Sequence, residues 1–262
     1  MSRSNNTELK NPARRFFEWN GDKGGFKYFD KSLGDKGQQV AVPLPFAFLV
    51  LDVMHCVRGF NDHAKCSYWS NEIRDFKTHR LTVRNKNGVQ AEGAYKEVMA
   101  ALRDAKYCQS VYIAYYEQKE GSDEKKLVIG NIQLMGAAVS EFIDFRKKFD
   151  IYKGAIVVKD FREATKGRTI YKIPNFTSIP VSEEADAIAK EMDEKELRPF
   201  LDAYIAKTQS AQAAGVPKEV EQTVNEEISN SKSEQQASNI RGALNSEPPI
   251  TAEDYSEDDL PF

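Results

Sequence analysis

Through the first 180 residues the apolar positions come in short runs broken by turn residues, a pattern of strands rather than long helices. An aromatic strand is predicted at 26–30, directly after Gly24-Gly25. The run 40–52, broken early by Pro43 and Pro45, is apolar enough to lie centrally in a sheet. Shorter strands are expected at 68–76 and 81–84, the second closed by the turn Asn85-Lys86-Asn87-Gly88. Strands 110–117 and 126–134 flank a Gly-Ser-Asp turn and make the clearest hairpin. Another is expected from 154–161 and 169–176 around Lys166-Gly167. Two stretches depart from this pattern. Val98, Met99 and Leu102 sit at helical spacing within 95–103, and Val139, Phe142, Ile143 and Arg146 within 137–149.

Many strands with few helices predict a mainly β protein. The arrangement expected for 1–180 is an oligonucleotide-binding (OB) fold-like five-stranded barrel with inserted loops and helices. A short helical extension follows at 181–208, where Ser182 caps a first turn holding Glu183 and Glu184. Ala187, Ile188 and Met192 then share one face, and Phe200, Leu201, Tyr204 and Ile205 form a second apolar stripe. Residues 209–252, rich in Gln, Ser, Asn, Ala and Glu, bury too little apolar surface to offset ordering. They are expected to be a disordered linker, with a transient helix at 216–228, leading to an acidic tip at 253–262. The sequence contains no internal repeat.

Charge divides along the same boundary. The net charge of −3 combines 30 Lys and Arg against 21 Asp and Glu in 1–180 with 7 against 19 in 181–262. A body of +9 with a tail of −12 fits a polyanion-binding domain that carries its own electrostatic competitor. The polar start, 1–11, is no targeting segment, and no apolar run nears the ~20 residues of a membrane span. A cytoplasmic protein with no membrane partner is therefore expected. Cys56, Cys66 and Cys108 are expected to be free thiols.

Binding a single strand without reading its sequence takes cations along a groove and flat side chains for the bases. The segment 11–29 interleaves both, with Arg14, Arg15, Phe16, Phe17, Trp19, Lys23, Phe26, Lys27, Tyr28 and Phe29. In a strand at 26–29, Phe26 and Tyr28 share one face and Lys27 and Phe29 the other, so at most half of these aromatics reach a ligand. Phe16, Phe17, Phe26 and Phe29 are expected in the core. The ligand candidates are Trp19, Lys23, Lys27 and Tyr28, then Phe60 after Arg58-Gly59, and Trp69 between Tyr68 and Ser70. Arg74, Lys77, Arg80, Arg84 and Lys86 add five cations within 13 residues, a nucleic-acid track or a solvated strand edge.

Two other chemistries compete with binding. His55-Cys56 and His63-x-x-Cys66 supply zinc-ligand types, but adjacent residues on a strand point to opposite sides, so no metal is expected. Glu117 and Lys119, with Asp104 as carboxylate partner, resemble half of a metal-dependent nuclease site. A solvated hairpin explains that mixed-charge stretch better. No Walker loop, His-Glu-x-x-His or Gly-x-Ser-x-Gly occurs, and no cofactor or catalysis is expected.

The ending Asp258-Asp259-Leu260-Pro261-Phe262 resembles the acidic tip of bacterial single-stranded-DNA-binding proteins, with Leu260 where that family most often has Ile. The resemblance implies that Phe262 enters an apolar pocket on a replication, recombination or repair enzyme, while its α-carboxylate and the acids meet basic groups. With the basic aromatic body, the chain resembles a single-stranded-DNA-binding protein of bacteriophage type, its core being longer than the short bacterial domain. The expected function is coating and protecting single strands. The alternatives are a strand-annealing mediator or a nuclease with a recruitment tip.

Overall fold

The computed structural model describes residues 10–61, 65–118 and 125–214, the side chains of 211–214 excepted. His63, Lys119, the linker beyond 214 and the tip lie outside the described residues. The described strands are β1 (Phe16–Asn20), β2 (Gly25–Asp30), β3 (Gln38–Val42), β4 (Phe46–Asn61), β5 (Cys66–Ser70), β6 (Leu81–Asn85), β7 (Gly88–Gly93), β8 (Ala105–Gln118), β9 (Lys125–Met135), β10 (Ala155–Lys166) and β11 (Thr169–Ile179). The helices are α1 (Tyr95–Ala101), α2 (Ala137–Lys148), α3 (Glu183–Met192) and α4 (Arg198–Ala214), the last two joined by a π turn at Asp193–Leu197.

The protein is mainly β, as its hydrophobic pattern predicts. Its strands form one large open sheet in the order β3-β2-β1-β9-β8-β4-β5-β6-β7, with β10 pairing both β4 and β11. Among the described strands, only β1 and β9 pair in parallel. Among the described residues the ladders do not close into a five-stranded barrel.

β4 is the longest strand, at 16 residues, and it serves three neighbours. Phe46–Phe48 pair with β10, Leu49–Gly59 with β8, and Arg58–Asn61 with β5. An irregularity between Val50 and Asp52 bends it, as bulges do. One sheet face builds the main core with β1, β2 and α2. Phe17 meets Tyr115 edge-on at 5.0 Å, and α2 inserts Phe142, which is 0% exposed. Gly130 makes room for these rings, since a Cβ there would stand 2.7 Å from Tyr115. The β1–β2 turn reaches β11 through two hydrogen bonds: Lys172 N–H to Gly21 O and Trp19 Nε1–H to Lys172 O, each 2.7 Å.

The opposite face carries the helical extension. Leu197, Phe200 and Leu201 pack on Met54, Tyr112 and Ile129, while Ala185 and Ala189 pack on Leu49, Ala114 and Leu127. Ser182 caps α3 by accepting from Ala185 N–H at 3.2 Å, the cap read from the sequence. Between β4 and β8, the insert β5–β7 with α1 builds a core of its own around Ile73, Leu81, Val83 and Val98.

Several boundaries differ from the predicted ones. Pro43 and Pro45 split the run 40–52, so β3 ends at Val42 and β4 continues to Asn61. The strand expected at 68–76 covers only 66–70, beyond which Ile73 alone bridges back to His55. β1 and β7 were not predicted as strands. Their mixed polar composition suits partly exposed strands, which lack the apolar run that marks a central one.

Truncating Leu201 to Ala is expected to cost about 2–5 kcal/mol in the urea unfolding of the whole domain. If α4 folds apart from the sheet, the main transition will not move.

Candidate nucleic-acid interface

Directly opposed residues in an antiparallel ladder share a face. Lys106 opposes Arg58, Arg58 opposes Trp69, and Trp69 opposes Arg84. The row Lys106–Arg58–Trp69–Arg84 therefore crosses β8, β4, β5 and β6 on one side, the same side that α3 and α4 cover further along β4. Phe60, two residues beyond Arg58, shares this face. Tyr68, Val57 and Val83 point the other way, into the insert's core.

Arg58 is only 6% exposed. Burial by itself would lower its pKa, but Cys56, Cys108, Glu72 and Tyr204 outweigh that and raise it, so the guanidinium is charged. Burial pushes the Glu72 carboxyl up, opposed by hydrogen bonds from Ser110 Oγ at 2.6 Å and Tyr112 OH at 2.8 Å and by Arg58. The Tyr204 hydroxyl of α4 accepts from Glu72 N–H at 3.0 Å. Gln209 brackets Arg80, taking its N–H at 3.2 Å and donating to its carbonyl at 3.4 Å. The helix thus crosses the polar part of the face, touching Glu72 and the backbone of Arg80. Two N–H donors in the row, Arg58 Nε and Trp69 Nε1, are shielded from solvent and have no hydrogen-bond partner among the described residues. Such a donor costs about 1–3 kcal/mol when left unmade.

The other residues picked from the sequence scatter. Trp19, bonded to Lys172, packs edge-on against Phe26 at 5.1 Å. Tyr28 lies on the core side of its strand, under the Arg15 guanidinium at 4.1 Å. Lys27 reaches Glu18 at 3.8 Å, and Lys23 is exposed in the β1–β2 turn. Arg74 is held by Asp52 at 2.7 Å and Asp202 at 3.7 Å. Lys77 lies exposed in the turn that Asp75 caps, and Lys86 is exposed in the β6–β7 turn beyond Arg84. Of the candidates, the fold brings Phe60, Trp69 and Arg84 onto one face with Lys86 at its rim. Trp19 and Tyr28 stand apart from them.

Sequence reading missed Arg58 and Lys106. Arg58 was legible through its two-residue spacing from Phe60 on a strand. Lys106 joins the row only through the β4–β8 register.

Among the described residues, the metal and nuclease candidates are not brought together. His55 faces the inner core, stacked on Tyr107 at 5.9 Å with its Nδ1 2.7 Å from Tyr107 OH, while Cys56 faces outward opposite Cys108. Cys56, Cys66 and Cys108 are buried thiols outside any disulfide. Among the described residues no group of three or more His, Cys, Asp or Glu is placed to hold a metal. Glu117 is engaged by Arg15 Nε at 2.5 Å and Arg14 at 3.3 Å. Asp104 precedes β8 and Glu117 nearly ends it, so a 14-residue strand separates the two carboxylates, about 40 Å along its length. No described helix is long and apolar enough to cross a membrane. Comparison of the chain with family models, curated proteins and solved structures yields no match.

Burial, with Arg146 nearby, lowers the His55 pKa to about 4 from its ordinary 6.5. The unfolded chain then binds the proton more readily, so stability is full above pH 6.5 and falls as pH drops toward 4. The expected loss is about 3 kcal/mol, and His55→Gln should flatten that part of a denaturation-versus-pH profile. An unchanged profile in the variant would assign the acid sensitivity to other groups.

Proposed function

We propose that this chain binds single-stranded DNA without catalysis, as a bacteriophage-type single-stranded-DNA-binding protein. The observation that carries the reading is the row Lys106–Arg58–Trp69–Arg84 with Phe60 beside it. It combines what strand binding requires: flat rings that accept any base and cations on the same face. The charge split, +9 over 1–180 and −12 beyond, supports the same reading.

The connectivity supports an OB-like interpretation. In it β4 is the long shared first strand, β8 and β9 the second and third, α2 the helix before the fourth, and β10 and β11 the last two. The β1–β2 hairpin then takes the place between β9 and β11, where it bonds to Lys172. OB domains hold oligonucleotides on the face of strands two and three, flanked by the loop after strand one. Here α3 and α4 occupy much of that face, so the strand path shifts onto the insert that carries Trp69 and Arg84. Within the same proposal, residues 258–262 recruit replication, recombination or repair enzymes.

Oligo-dT is expected to quench the fluorescence of a Trp19→Phe protein, whose remaining indole is Trp69, with affinity falling steeply in salt. Trp69→Ala should weaken binding roughly fivefold to a hundredfold, and Arg84→Ala should reduce the salt slope by about 0.7. Absence of quenching and of binding would refute the function. Deleting 253–262 should preserve oligo-dT binding and abolish capture of host replication enzymes; undiminished capture would rule out the tip's role.

A further inference from the structure

Arg58 and Trp69 are direct cross-strand neighbours, and each leaves one N–H without an acceptor, at Nε and Nε1. Shielded donors in folded proteins nearly always find partners. Nothing beneath this pair serves. Thiols such as Cys56 and Cys108 are weak acceptors, and the Glu72 carboxylate already receives Ser110 Oγ and Tyr112 OH. Among the described residues the pair therefore has no acceptor. With Lys106 and Arg84 at the two ends of the row, three cations surround the position, which favours an anionic oxygen over a neutral carbonyl.

We propose that Arg58 and Trp69 form a phosphate seat, in which non-bridging oxygen of one DNA phosphodiester accepts from Arg58 Nε and Trp69 Nε1. This rests on the strand-binding function above and adds how one backbone position is gripped. Both donors are shielded from solvent, so the seat requires the half-buried Trp69 to turn and present its edge. Its ring face stays available to a neighbouring base. The edge and the face of one indole thus contact two different parts of the strand.

The chain has two tryptophans, so amide spectra of the full-length ¹⁵N-labelled protein contain two indole N–H signals. Trp19 is already bonded to Lys172 O, and its signal should stay in place. The Trp69 signal should move downfield with oligo-dT, but not with an equally long oligo-dT whose linkages are neutral methylphosphonates. In anisotropy titrations Trp69→Phe, which keeps a ring but loses the donor, should bind phosphodiester oligo-dT about tenfold more weakly. It should bind the methylphosphonate oligomer as the unaltered protein does, and Arg58→Lys should behave likewise. Equal movement of the Trp69 signal with both oligomers would overturn the seat in favour of base contacts. Binding with an unmoved signal would overturn it as well, leaving the donors to water. Failure of the unaltered protein to bind oligo-dT at all would instead bring down the parent function. The spectra of the unaltered protein decide the matter even if a variant fails to fold.

Discussion

A single strand shared by three neighbours is the constraint on which the rest of the structure depends. At 16 residues β4 would extend about 53 Å if straight. Its irregularity between Val50 and Asp52 bends it, so its start lies along β10 and its end along β5 while β8 runs beside the middle. Each of its two faces then has a separate task. Phe46, Phe48, Val50 and Val53 enter the main core with α2, and Met54 lies under Leu201 and its neighbours. Arg58 and Phe60, further along, reach the row that the insert completes. A break in β4 would separate the main core, the helical cover and the candidate interface from one another.

The outward face changes character along its length, and that change decides where a ligand has access. Near Ala114 and Ile129 it is apolar, and α3 and α4 cover it with alanine and large aliphatic or aromatic side chains. Near Ser110 and Asn131 it turns polar, and Asn131 Nδ2 donates to Ser110 Oγ at 2.6 Å beside the buried Glu72. Burying a carboxylate is tolerable only where hydrogen bonds and an opposite charge offset desolvation, as Tyr112, Ser110 and Arg58 do here. This network ties the insert to β8 and β9 and sets Arg58 in a defined place. The cation in the middle of the candidate row is therefore nearly buried, on the same side as this network.

Much of the local structure was legible in the sequence. The α2 helix, the Ser182 cap and the hairpins around 110–134 and 154–176 all appear close to their predicted positions, because local periodicity and turn chemistry determine them. The candidate site was legible only in part. Trp19 and Tyr28 have the residue types of a base-stacking platform, yet the β1–β2 hairpin turns that face toward Phe17 and Phe26. Period-two alternation says that two residues share a face but not which face is inward. Arg74 looked like a member of a cation track and is instead engaged by Asp52 and Asp202, residues far from it in sequence.

The sequence by itself determined the class of structure, the places where strands and helices turn, the opposed charges of body and tail, and the residue types available for binding. Those properties are local sums, set by neighbours a few positions apart. Tertiary structure alone decided that Lys106, Arg58, Trp69 and Arg84 form one row, since it depends on three ladder registers among four strands. It also decided that the helical extension covers a sheet face, because that contact joins α4 to strands some seventy to a hundred and fifty positions earlier. Register and burial are relations between distant segments, and no single stretch of chain contains them.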